Sequence, residues 1–349
     1  MFSSNNSIPQ YLFLVTVIAI ATYVGKSFIQ KIDGADDDKL IKKYILNESP
    51  LYGNNRPKIW IHSKYEINAR KWRDFQSRNT TDLNQPYLLL TIKTIIEHCQ
   101  KDFNICLIDD DSFGKLLPHW DLEVTKMPEP FRTNFREIAM LELLREYGGL
   151  IVPNSFVCRK SLKPMYDECI AEKKPFIFEN RNRHYQNHPS KRLLFVPDTG
   201  FMGSPKNDPV LTNMILQARK MNSRLHFSED NAFLGNLSYW CLEQAQEGNV
   251  HILLGQLIGV KNDRKMPILL EDLMDEKDLH LTEDNLGIYI PREEILSRTK
   301  YQWFSVLEID SVLKSTPIVS KYLRESLSSS FSEYSDKPTI IKSDTAISI

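Results

Sequence analysis

Between Pro57 and Val152 the chain alternates short apolar runs of strand length with longer segments of helical periodicity, and this order limits the fold more than any other feature. "PKIWIH" (57–62) reads as a strand, and "PYLLLTIKTIIEHC" (86–99) has a helix-length apolar pattern. "FNICLIDDD" (103–111) is a strand that runs into acids, "NFREIAMLELLREYGG" (134–149) a second helix, and "LIV" (150–152) a third strand. Such an order predicts an α/β fold: a mainly parallel sheet with flanking helices, whose ligands gather at the carboxyl ends of the strands. Three strand ends follow from it: His62, Asp109 to Asp111, and Pro153 to Ser155.

With 349 residues, 42% of them hydrophobic, the chain can bury a substantial core, so disorder of the whole is excluded. Lys plus Arg (44) balances Asp plus Glu (45), and a net charge of -1 gives no global field to attract nucleic acid. The five cysteines form no C-x-x-C pair and no tight Cys/His cluster, which argues against zinc. Their odd number implies mostly reduced thiols or at most two bridges.

No charged side chain precedes Lys26, and "YLFLVTVIAIATYV" (11–24) is apolar apart from threonines and tyrosines. A helix from Ile8 to Gly25 would reach roughly 27 Å at ~1.5 Å per residue, which reads as a single-pass membrane anchor over residues 1–29. A cleaved signal peptide is the competing reading, but the basic n-region is missing. Lys26 and Lys31 follow the segment, which by the positive-inside rule puts the following domain in the cytosol. Residues 30–56 read as a polar tether, 57–325 as the folded domain, and the Ser-rich stretch 326–349 as a disordered tail.

In the second helix, Asn134 with Glu137 three residues on fits a capping box, and the two glycines after Tyr147 fit a helix stop. Arg136 falls on the apolar stripe with Met140, where an unpaired guanidinium is too costly. It must therefore reach solvent, pair with an Asp, or contact an anionic ligand.

The blocks "RPKIWIH", "FNICLIDDDSFGKLLP", "REIAMLELLREYGGLIVPNSFVCRKSL" and "TGFMGSPKNDP" together resemble the sugar transferases of glycosyltransferase family 32 and the related capsular polysaccharide synthesis proteins. The resemblance covers about Pro57 to Pro209. It implies a GT-A fold, a Rossmann-like sheet that binds a nucleotide-sugar donor and passes a hexose to a glycan or glycoconjugate acceptor. It also implies an N-terminal membrane helix and a Golgi or ER-type endomembrane location, at odds with the cytosolic orientation read from the lysines.

In that family the strand after Tyr-Gly-Gly ends in Asp-x-Asp, which holds Mn²⁺ or Mg²⁺ against the pyrophosphate. Here Pro153 and Ser155 stand in place of both aspartates, and Arg136, Glu137 and Met140 in place of the family's Ser-Asp and Arg. No cofactor is therefore expected, and a divalent metal only through Asp109 and Asp111, which keep a D-x-D spacing. Cations offer another route, since Lys or Arg can stabilise a leaving pyrophosphate. Arg132 and Arg136 precede or open the helix, Arg159 and Lys160 follow the third strand, and "NRNRHYQNHPSKR" (180–192) is strongly basic. The donor-binding candidates are then His62, Asp109, Asp111, Arg132 and Arg136, with Glu137, Asn154 and Ser155 beside them. Asp198, just before "TGFMGS", is the carboxylate placed to meet an acceptor hydroxyl. Glu229, Asp230, Tyr301 and Trp303 are weaker candidates. The two functional readings are a transferase without the usual metal site and a binding or scaffold protein that has kept the fold but not the activity.

Overall fold

The computed structural model describes residues 56–63, 85–118, 120–183, 193–223 and 232–327, all within the unit Pro50–Ile349. Three parallel strands, β1 (Lys58–His62), β2 (Asn104–Ile108) and β3 (Gly149–Ile151), form one half of a six-stranded sheet. The other half holds β5 (Phe176–Arg181), β6 (Phe195–Ser204) and β7 (His251–Leu253), in the order β2-β1-β3-β6-β5-β7. β6 runs antiparallel to both β3 and β5, while β5 and β7 are parallel, so the sheet is mainly parallel with one reversed strand. A second, two-stranded sheet pairs β4 (Phe156–Cys158) with β8 (Gly287–Tyr289). This is an α/β architecture consistent with the GT-A expectation.

The sequence pattern explains the layers. In β1, Ile59, Trp60 and Ile61 are all fully buried, as expected of a central strand covered on both faces. Helices α2 (Phe131–Tyr147), α3 (Pro209–Ser223) and α4 (Ala232–Gln246) cover one face, packing Leu141, Met214 and Phe233 into one core with Trp60, Ile151 and Met202. A second core joins Tyr87 and Leu90 of α1 (Tyr87–Cys99) to Ile288 of β8 and to α6 (Ile318–Leu327). A shorter helix, α5 (Arg292–Ser297), follows β8.

The Tyr-Gly-Gly block has a steric reason. Gly148 (φ 67°) ends α2, its N–H donating to Leu144 O at 2.7 Å, and its carbonyl accepts from the Trp60 indole at 3.0 Å. Gly149 (φ 110°) then enters the sheet so closely that a Cβ would lie 2.3 Å from Lys58 O. Only glycine fits there.

Two expectations are corrected. α2 begins at Phe131, so Asn134 lies inside the helix, buried and donating to Asn222 Oδ1 at 3.1 Å, and no Asn134–Glu137 capping box forms. The C-terminal helix runs to Leu327, with Ser326 and Leu327 buried, so order continues past the expected boundary at 325. The anchor over 1–29, nearly all of the tether and the tail beyond 327 lie outside the described residues. Among the described residues no helix is long and apolar enough to cross a membrane.

Candidate functional site

In the order β2-β1-β3 the chain leaves β1 towards β2 on one side, while β3 lies on the other, so the carboxyl ends of β1 and β3 mark the topological switch point at which open α/β sheets place a ligand crevice. His62 ends β1, and its ring stacks on Phe113 with centroids 5.4 Å apart and planes 8° apart. Its Nε2 lies 3.0 Å from Asp110 Oδ1. Arg136, reaching across from α2, donates through Nε (2.8 Å) and Nη2 (2.6 Å) to the two oxygens of the same carboxylate. This bidentate fork accounts for a buried guanidinium on an apolar stripe. Of the alternatives open for Arg136, the pairing with an aspartate is the one that forms.

A local turn selects which acid points inward. Asp109 caps the 3₁₀ turn Asp110–Ser112, accepting from Ser112 N–H at 2.9 Å and from its hydroxyl at 2.6 Å. Asp109 and Asp111 are left exposed and Asp110 turns toward His62. Burial alone would raise the Asp110 carboxyl, but the hydrogen bonds from His62 and Arg136 hold it well below the usual carboxylate range. Burial lowers the His62 imidazole, an effect that Asp110 offsets only in part.

A second wall is built from α2 and β6. Asp198 Oδ2 accepts from Asn180 Nδ2 at 2.6 Å, and its Oδ1 from Gly200 N–H at 2.9 Å. Glu137, one residue on from Arg136, receives the Thr199 hydroxyl. Burial pushes the Glu137 carboxyl up to about 7; the Thr199 hydrogen bond opposes that rise and the charge of Asp198 adds to it. A wide irregularity in the β5–β6 ladder, where Ile177 pairs with Met202 but Phe178 with Asp198, shapes this stretch of β6.

A third wall comes from β8 and α5. Arg183 Nε lies 2.7 Å from Glu294 Oε1, and its guanidinium sits over the Tyr289 ring, 5.3 Å from the centroid. Burial pushes the Tyr289 phenol up to about 12. Asp198 acts electrostatically on both Arg183 and Tyr289, and Arg292 on both Tyr289 and His62, each as a small contribution beside burial. His62, Glu137 and Tyr289 are crowded by protein yet keep partial solvent exposure.

Of the residues singled out from sequence, His62 and Arg136 meet at Asp110, and Glu137 and Asp198 come together beside Thr199. Arg132 is tied to the preceding turn through Nε to Met127 O at 2.8 Å. Asn154 and Ser155 are both buried: Asn154 O accepts from Thr91 Oγ1 at 2.5 Å, and Ser155 O from Ile290 N–H at 3.0 Å. They therefore serve as the packed turn between β3 and β4. Arg159 reaches Tyr322 and Lys160 bonds Glu283 O, so these cations face the C-terminal region. Tyr301 is buried against the second core, and Trp303 packs on it. His184, Lys191, Arg192, Glu229 and Asp230 lie outside the described residues.

A hard divalent ion needs several converging carboxylate oxygens, and Asp109 is engaged as a cap on Ser112. Among the described residues no group of three or more His, Cys, Asp or Glu is placed to hold one. Sequence reasoning missed Asp110, Asn180, Tyr289 and Glu294. Asp110 was screened by its neighbours' D-x-D spacing; Tyr289 and Glu294 stand in "GIYIPREE", distant in sequence, and carry no motif.

No protein-family model matches this sequence, and no curated protein does. Among solved structures, the chain is similar to PaToxG Glycosyltransferase at 15% identity, with a TM-score of 0.34, covering 61% of this chain and 79% of that one.

Proposed function

We propose that this protein is a sugar transferase that takes a hexose from a nucleotide-sugar donor and passes it to a glycan acceptor without an Asp-x-Asp metal site. The observation that carries the reading is the pair of carboxyls at the crevice, Glu137 and Asp198, with Glu137 held near neutrality. Acid–base work at neutral pH is served by a group whose proton affinity lies near the working pH, and burial moves Glu137 in that direction. In this reading Asp198, fixed by Asn180 and Gly200, accepts the proton of the attacking acceptor hydroxyl. Arg183 and Arg292 supply the positive field for the leaving diphosphate, and His62 borders the donor. The donor sits outside the carboxyl ends of β1 and β3, and the N-terminal segment attaches the domain to an endomembrane.

A noncatalytic glycan-binding or scaffold protein is the second reading, favoured by the matched charge of Arg136 and Asp110 and by the burial of Asn154 and Ser155. A thermal-shift screen of the full chain separates the two, using nucleotide sugars, nucleoside diphosphates and free oligosaccharides, each with Mn²⁺ and with EDTA. A donor at ~100 times its dissociation constant adds about 2.7 kcal/mol. Stabilisation by a nucleotide sugar that survives EDTA supports the transferase. A response to oligosaccharides alone supports the binding module and overturns the first reading.

A further inference from the structure

All five cysteines are buried and free, but they are not equivalent. Cys106 Sγ has Asn104 O as its neighbour at 3.8 Å, and Cys169 Sγ has Met165 Sδ at 3.9 Å. Cys99, the last residue of α1, and Cys158, the last residue of β4, place their sulfurs 3.9 Å from each other.

The surroundings hold both sulfurs in position. Cys158 N–H donates to Thr94 Oγ1 at 2.9 Å, on the same helix as Cys99, and its thiol donates to Lys160 O at 3.1 Å. The Leu162 backbone N–H supports Cys99 Sγ. Thr91, on the same helix, donates to Asn154 O, so α1 is pinned both to the β3–β4 turn and to Cys158. A disulfide needs an S–S distance of about 2.05 Å, so the sulfurs must approach by just under ~2 Å.

We propose that Cys99 and Cys158 are a redox pair whose disulfide staples α1 to β4. Hydrogen bonding lowers the Cys99 thiol despite its burial, making it the attacking sulfur. Its thiolate attacks a small disulfide such as oxidised glutathione, expels one glutathione thiolate and forms a mixed disulfide. Cys158 then loses its proton and attacks Cys99 Sγ, expelling the second glutathione. The protein gives up two electrons and two protons, and the oxidant leaves as two thiols. Since both sulfurs are shielded, the exchange proceeds during folding or local opening.

The bridge would close a loop spanning 59 positions. It would also clamp the turn from Pro153 to Ser155 and the β4–β8 sheet, where Tyr289 pairs with Phe156, to the helix behind them. Redox state would thereby reach the third wall of the crevice.

The test uses the full chain, refolded in a glutathione redox buffer, quenched with acid, alkylated under denaturing conditions and mapped by mass spectrometry. Two blocked thiols out of five, a Cys99–Cys158 linked peptide, and a melting temperature that falls by about 5 °C on reduction are expected. Cys106→Ser keeps the link; Cys99→Ser and Cys158→Ser each abolish it. Should those two variants fail to fold, the map of the unmodified chain decides alone. Five alkylated thiols at every oxidising potential, or a link through another cysteine, overturns the proposal.

Discussion

Arg136 and Glu137 are neighbours on α2, yet they serve the two walls of the crevice in opposite ways. Arg136 reaches a carboxylate that also meets His62, so the His62–Asp110–Arg136 wall is matched in charge and closed in hydrogen bonding. Glu137 meets a neutral hydroxyl and the field of Asp198, so the second wall gathers acidic groups, and among the described residues no cation is bonded to either carboxyl in the same direct way. A closed set of charges braces a fold and resists change. An unmatched one holds a proton whose position depends on what enters the crevice.

The comparison breaks if the two walls respond alike to mutation. The largest effect is expected from Asp198→Asn, which should lower transfer by about 10³-fold, within the range for a positioned general base, with little change in stability. Initial rates of donor consumption measure it, and a rate near that of the unmodified protein would remove Asp198 from the chemistry. Asp110→Ala should act in the opposite manner. It leaves the Arg136 guanidinium, 10% exposed, without its main partner, and should cost about 3 kcal/mol of folding stability. Urea denaturation reads that cost; an unchanged midpoint would mean that water or Glu129, 3.9 Å away, replaces the lost carboxylate.

The difference between the walls also explains what the sequence could convey. The alternation of strand and helix, the buried β1 and the Tyr-Gly-Gly stop were legible because each depends on local periodicity or on a steric demand at one residue, as at Gly149. The partner of Arg136 was legible only as a class, an aspartate, because its identity depends on which acid of "DDD" the 3₁₀ turn directs inward. D-x-D spacing pointed to Asp109 and Asp111, and the cap on Ser112 turned the choice to Asp110. Asn154 and Ser155 looked like site residues from their place at a strand end. Burial of that turn against Thr91 and Ile290 is a tertiary fact that no local pattern carries. The third wall was the least legible, since it requires β8, more than a hundred residues from His62, to return beside β4.

The smallest effect sharpens the contrast through pH. Glu137 has a folded pKa raised from 4.5 to about 7, so the native state favours its protonated form. That contribution is fully present below about 4.5 and is lost as pH rises through 7. His62 runs the other way: its pKa is lowered from 6.5, so its contribution is present above 6.5 and is lost as pH falls through the folded value. The stability of the unmodified protein should therefore fall on both sides, with the alkaline slope set by the second wall and the acid slope by the first. Glu137→Gln removes only the alkaline slope, and should gain about 2 kcal/mol on the unmodified protein between pH 5 and pH 8, after allowance for partial solvent exposure. Urea midpoints across that range measure the difference. Parallel curves for the two proteins would mean that Glu137 titrates like an ordinary surface carboxylate, and the second wall would then lose the property that distinguishes it from the first.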